Sequence, residues 1–171
     1  MIHLVEGPVG AGKSTYAARL GLDLAAPRLD LDEWMVVLFR PDRPETDFTQ
    51  WYLERKDRCL SQIWNVASEI IASGSDCVLE LGLVGRGDRA AFYERADAAD
   101  YGRAVYLVDA PEETRRQRVR ERNQLQSGTF KMAVSDEIFD IANRAWEPPD
   151  ETECDERRIR IVHTPADGSA S

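Results

Sequence analysis

The sequence predicts an α/β fold in which a five-stranded parallel sheet is covered by helices on both faces, three layers in all. Apolar runs of strand length alternate along the chain with longer segments of helical spacing. The first of these runs passes through a glycine-rich loop straight into a helix, the opening of a βαβ unit. The third is a nearly unbroken apolar stretch, which suits a strand buried on both faces.

The first strand is Ile2-His3-Leu4-Val5. It leads to Gly7-Pro8-Val9-Gly10-Ala11-Gly12-Lys13-Ser14, a G-x-x-x-x-G-K-S phosphate-loop pattern. Glycines there admit backbone angles that a side chain forbids, so successive N–H groups can turn inward as an anion nest. The helix that follows adds the positive end of its dipole. Gly7, Pro8, Val9, Gly10, Ala11, Gly12, Lys13, Ser14 and Thr15 are therefore the expected polyphosphate contacts. Lys13 is the mobile charge for the outer phosphates and Ser14 a hydroxyl ligand for Mg²⁺.

Helix one is expected from Lys13 to about Ala25, stopped by Pro27. The stretch from Arg28 to Trp34 reads as a short second strand ending in acids, with Asp30 and Asp32 on one face. In a parallel sheet, ligands gather outside the carboxyl ends of the strands. Asp32 is thus a candidate base for an attacking hydroxyl; the alternative is that Asp30 or Asp32 caps a helix starting at Glu33. An apolar helical turn ends at Pro41, and Asp47 to Ser73 reads as one long helix or a broken pair. Its Trp51 and Tyr52 either line a substrate pocket or pack on the sheet.

The third strand, Asp76 to Leu83, is interrupted by Glu80. A buried acid needs a partner or a role, and beside the loop Glu80 suits a metal-water ligand or an orienter of the nucleophile. Gly85 to Arg89 reads as a loop, in which Arg86 and Arg89 either face a substrate or are surface charges, and Ala90 to Ala99 as a helix. The fourth strand is Arg103 to Asp109. The next helix carries Arg115, Arg116, Arg118, Arg120 and Arg122, a concentration of cations that could balance a polyphosphate or simply be solvated. A polar lid is expected at about 123–136, then a helix capped at Ser135, a break at Glu147-Pro148-Pro149-Asp150-Glu151, and a fifth strand from Arg158 to His163.

The 171 residues suit a single domain, and the 43% hydrophobic share can build a core. The formal charge of −9 weighs against general affinity for nucleic acid or anionic membranes. Cys59, Cys77 and Cys154 have no metal spacing and read as free thiols or small buried hydrophobes. No apolar run approaches the roughly 20 residues of a membrane span, and the N-terminus reads as strand plus loop rather than a signal peptide. These features lead us to expect a cytoplasmic protein.

Three blocks together resemble a known group: Gly7 to Ser14, Leu31-Asp32-Glu33-Trp34-Met35, and the stretch from Arg118 through Arg122-Asn123 and Thr129-Phe130 to Glu147-Pro148-Pro149-Asp150-Glu151. The chain is similar to the small P-loop kinases of the AAA family ATPase group, AAA domain 33, relatives of zeta toxins, chloramphenicol phosphotransferase and polynucleotide 5′-kinase. The resemblance implies the P-loop NTPase fold, sheet order 2-3-1-4-5, with ATP and Mg²⁺. It implies Asp32 as base for the acceptor hydroxyl, Arg118 stacked on adenine, and Arg122 on the phosphates, so that Lys13, Asp32 and Arg122 form the catalytic set. Ser14 and Glu80 become the metal side, although relatives often carry aspartate where Glu80 stands. The turn Pro165-Ala166-Asp167-Gly168 falls where relatives wrap the base.

The function expected from this is transfer of the ATP γ-phosphate to a hydroxyl of a small molecule. Two alternatives stand beside it: a nucleotide-binding switch or slow ATPase acting on a protein partner, and a nucleic-acid 5′-hydroxyl kinase, against which the acidic charge weighs.

Overall fold

The computed structural model describes residues 1–125 and 133–164. Five strands form one sheet in the order β2-β3-β1-β4-β5, every neighbouring pair parallel. They are β1 (Ile2–Glu6), β2 (Arg28–Asp30), β3 (Cys77–Glu80), β4 (Arg103–Asp109) and β5 (Arg160–His163). The helices are α1 (Lys13–Asp23), α2 (Leu31–Phe39), α3 (Phe48–Ala72), α4 (Arg86–Ala98), α5 (Glu112–Leu125), α6 (Asp136–Ala145) and α7 (Glu151–Arg157). The fold class and strand order match the expectation.

The period of two along the central strands sorts their side chains into two cores. Ile2 and Leu4 of β1, Cys77 and Leu79 of β3 and Val105 of β4 join Ile63, Ala67, Phe92 and Tyr93 of α3 and α4. Val5, Val78, Tyr106 and Val108 face the other way and join Ala17 of α1. The same parity decides where the strand-end acids point. Glu6 falls on the α3/α4 side, and Glu80 falls on the α1 side.

Several boundaries depart from the expectation; the third strand, for one, is Cys77–Glu80 rather than Asp76 to Leu83, and the fifth starts at Arg160. The second strand stops at Asp30, because the Asp30 carboxylate accepts from the Glu33 amide at 3.0 Å and starts α2 at Leu31. Asp30 and Asp32 therefore do not share a strand face; Asp30 is buried and Asp32 lies exposed on the first turn of α2. Helix α4 begins at Arg86 rather than after Arg89. Helix α5 runs through Asn123 to Leu125, residues expected in the lid; residues 126–132 of that lid, with Thr129 and Phe130, lie outside the described residues, as does the turn at Pro165. The break before Glu151 is present, but helix α7 follows it where no element was expected, capped by the Asp150 carboxylate on the Glu153 amide at 2.8 Å. Its seven residues bury only Glu153, so no apolar period announced it. Among the described residues no helix is long and apolar enough to cross a membrane.

Candidate active site

The Gly7–Ser14 loop leaves the carboxyl end of β1 at the centre of the sheet and enters α1 at Lys13. Gly7 has φ +144°, and a Cβ there would lie 2.1 Å from the Val108 carbonyl oxygen, so only glycine lets the loop rest on β4. Gly10, at φ +78°, has the Arg115 carbonyl 2.5 Å from where its Cβ would stand, which lets α5 press on the loop. The N-cap of α1 is Gly12, and among the described residues no side-chain cap bonds its first amides, which suits an anion there. The Lys13 ammonium donates to the Pro8 carbonyl at 3.0 Å, curled over the loop it would serve.

Strand parity brings the two expected metal residues together. The Ser14 hydroxyl donates to Glu80 Oε1 at 2.8 Å. Behind them is a residue the sequence reading missed. Arg28 of β2 reaches Asp30 Oδ2 at 2.5 Å, Glu33 Oε2 at 2.9 Å and Glu80 Oε2 at 3.6 Å, gathering three carboxylates at the strand ends. Its signal was weak: one arginine at the start of a short strand full of acids.

Asp32 lies in the chain between Asp30 and Glu33 of that cluster, in electrostatic reach of Arg122 and Tyr52. Burial pulls the Arg122 guanidinium below its ordinary value, and the Asp32 carboxylate opposes the pull. Burial pushes the Tyr52 phenol up, with Asp32 and then Cys59 adding to it. Among the described residues, the buried Arg122 Nε has no hydrogen-bond partner. Trp51 and Tyr52 belong to an aromatic group with Phe48, with Arg55 lying 4.8 Å over the Trp51 ring. Tyr52 also packs on the core; Trp51 does not join it. Helices α2 and α3 frame a cleft of about 320 Å³, lined by Trp34, Leu38, Phe39, Arg58, Cys59 and Gln62.

The basic helix divides by partner. Arg118 donates to Thr164 Oγ1 at 2.8 Å and the Ala11 carbonyl at 3.4 Å, spanning the loop and the end of β5. Arg116 pairs with Glu112 and Asp140, and Arg120 with Asp136. The sequence-level patch of five cations is thus largely neutralised along its outer side.

The loop arginines also separate. Arg86 is exposed and pairs with Asp150 at 2.7 Å. Arg89 is neither a substrate contact nor a surface charge: it is 0% exposed and bonded at 2.6 and 2.9 Å to Glu153. Glu6, also buried, lies 4.0 Å from the Arg89 guanidinium and accepts from the Tyr93 hydroxyl at 3.3 Å. Burial, against the pull of Arg89, raises the Glu6 carboxyl to about 8.

The donor set fits a hard cation. Among the described residues, no three His, Cys, Asp or Glu side chains gather as a metal cage. A serine hydroxyl backed by one carboxylate suits Mg²⁺, which prefers oxygen and keeps most of its shell for water and phosphate.

A family model for an AAA domain, AAA_33, matches residues 2–149. The chain belongs to the AAA_33 family. Comparison with curated proteins finds no match. Among solved structures, this AAA_33 chain is similar to a gluconokinase from Sinorhizobium meliloti, at 19% identity and TM-score 0.63, over 96% of this chain and 83% of that one. It is similar to the Mycobacterium tuberculosis APS kinase in complex with AMPPNP and APS, at 16% identity and TM-score 0.59, over 95% and 87%. It is also similar to Chaetomium thermophilum Kti12 in complex with ADP-AlF3, at 15% identity and TM-score 0.64, over 98% and 92%. At these identities the likeness establishes the small P-loop kinase fold of the AAA_33 chain.

Proposed function

We propose that this protein is an ATP-dependent phosphotransferase that moves the γ-phosphoryl group to a hydroxyl of a small molecule. The observations that support the reading are an ammonium and a hydroxyl–carboxylate pair at the loop, with, as a third, the exposed Asp32 close enough to Arg122 to act on its charge. A loop that served only to bind nucleotide would need the first two and not the third.

In this reading the loop amides and the α1 dipole hold the triphosphate, and Lys13 leaves the Pro8 carbonyl for its outer oxygens. Asp32 accepts the proton of the acceptor hydroxyl as its oxygen bonds to the γ-phosphorus and the bond to ADP breaks. Arg122 meets the charge spread over the transferred group. Ser14, oriented by Glu80, would hold Mg²⁺, which supplies neutralisation of the phosphates when bound. Positioning and charge compensation, rather than covalent chemistry, do the work. Arg118 and Thr164 border the side where the base would lie.

The test is a panel of sugars, nucleosides, hydroxylated metabolites, antibiotics and 5′-hydroxyl oligonucleotides, with ADP release as readout. Release that depends on a small-molecule acceptor supports the proposal. Release at the same rate with no acceptor points to the switch or slow ATPase. Release driven only by oligonucleotides, with steep salt dependence, points to a nucleic-acid kinase.

A further inference from the structure

Arg115 of α5 is 7% exposed, yet among the described residues every hydrogen-bond acceptor it meets is neutral. Nε donates to the Ala110 carbonyl at 3.0 Å, Nη1 to the Val9 carbonyl at 3.1 Å, and Nη2 to Asn143 Oδ1 of α6 at 2.8 Å. Among the described residues no carboxylate makes an ion pair with it; Asn143 turns its own amide to Glu112 instead, at 3.0 Å. Burial pulls its guanidinium below the ordinary value, and the Asp109 and Glu112 carboxylates oppose that pull without bonding to it; a buried cation with no bonded anion is costly, and a phosphate on the loop would offset that cost.

The bond to Val9 has a geometric consequence. A peptide unit is planar and trans, so its C=O and N–H point in opposite directions. With the Val9 carbonyl drawn to Arg115 on the α5 side, the Gly10 N–H is turned away from α5. The Arg115 backbone closes on the same unit, through the carbonyl that excludes a Cβ at Gly10. The neighbouring Ala11 carbonyl is held in the same way by Thr164 Oγ1 at 3.0 Å.

We propose that Arg115 is a positioning residue of the phosphate cup: it aims the Gly10 amide at the bound polyphosphate and holds beneath the loop a positive charge that the polyphosphate compensates. This rests on the nucleotide reading of the loop above. Through Asn143 it also ties the cup to α6, which follows the 126–132 segment. A residue that merely filled the core would affect all ligands alike; Arg115 should affect only those with phosphates.

The experiment measures affinity for ATP, inorganic tripolyphosphate and adenosine on wild type, Arg115→Met and Asn143→Ala, with the melting temperature of each ligand-free chain. For Arg115→Met, roughly a tenfold loss for ATP and tripolyphosphate is expected, the scale of one hydrogen bond to a charged group. Adenosine binding and the ligand-free melting temperature should hold. Asn143→Ala should show a smaller loss with the same selectivity, and it carries the test if Arg115→Met fails to fold. Wild-type affinity for tripolyphosphate in both variants, or an equal loss for adenosine, would overturn the proposal. A wild-type chain that binds neither ATP nor tripolyphosphate would instead overturn the nucleotide reading, and the proposal with it.

Discussion

The Ser14 hydroxyl, on the first turn of α1, donates a 2.8 Å hydrogen bond to Glu80 Oε1 at the end of β3. Two residues 66 positions apart thus form one oxygen pair at the mouth of the loop. The first prediction follows from that pair. Ser14→Ala and Glu80→Gln should each weaken magnesium-dependent ATP binding by about 10- to 100-fold, the usual scale for ligands and their supports. The double variant should cost little more than the worse single one. Calorimetry with magnesium and with EDTA checks this: in EDTA the variants should approach wild type.

Asp32 is exposed and acts, in the proposed mechanism, only once an acceptor is present. Asp32→Asn should therefore cost about 10²- to 10⁴-fold in turnover, the range for general-base loss, while ATP affinity stays within a few-fold. Lys13→Ala should lose both turnover and affinity. Equal turnover by wild type and Asp32→Asn with a saturating acceptor would remove Asp32 from the mechanism.

The Glu6 carboxyl, raised by burial from its ordinary value near 4.5 to about 8, predicts a pH dependence of stability. Between those values the folded state keeps a proton that the unfolded state has released. The contribution is full below about pH 4.5 and is lost as pH rises towards 8. Urea midpoints from pH 5 to 8.5 should fall more steeply for wild type than for Glu6→Gln, which keeps the neutral shape and cannot titrate. Parallel curves would mean that Glu6 does not change its charge on folding.

Arg89 and Glu153 join α4 to α7 through a bidentate pair that is 0% exposed on the arginine side. Glu153→Ala strips a buried guanidinium of its main partner and should destabilise by about 3–5 kcal/mol. Arg86→Ala, three residues earlier on α4, loses only an exposed pair with Asp150 and should leave the denaturation midpoint in place. Chemical denaturation of the two variants side by side separates these outcomes.

The strands and the loop were legible because their signals are local, whereas the strand order came from the family resemblance. The Gly7–Ser14 spacing, the strand-length apolar runs and the helical period of α3 each fall within a short window of sequence. The Ser135 cap of α6 was legible for the same reason; its side chain accepts from the Ile138 amide three residues on. Helix α7 was not, since a helix of seven residues that buries one glutamate carries no apolar pattern. Arg86 and Arg89 looked equivalent in sequence, and nothing local distinguishes an arginine that meets Glu153 from one that meets Asp150.

By itself the sequence determined the alternation of strands and helices, the anion-ready loop and the candidate residues Lys13, Ser14, Asp32, Glu80, Arg118 and Arg122. The elements and the loop depend on backbone preference and side-chain period, which act between near neighbours; Arg118 and Arg122 were singled out by the family resemblance. Only the tertiary structure decided that Asp30 caps α2 while Asp32 stays exposed, that Glu80 meets Ser14 through strand parity, and that Arg115 stands under the loop bonded, among the described residues, to neutral acceptors. Those outcomes depend on which charges are brought together across the sheet as water is excluded, and partnership over such distances has no period to read.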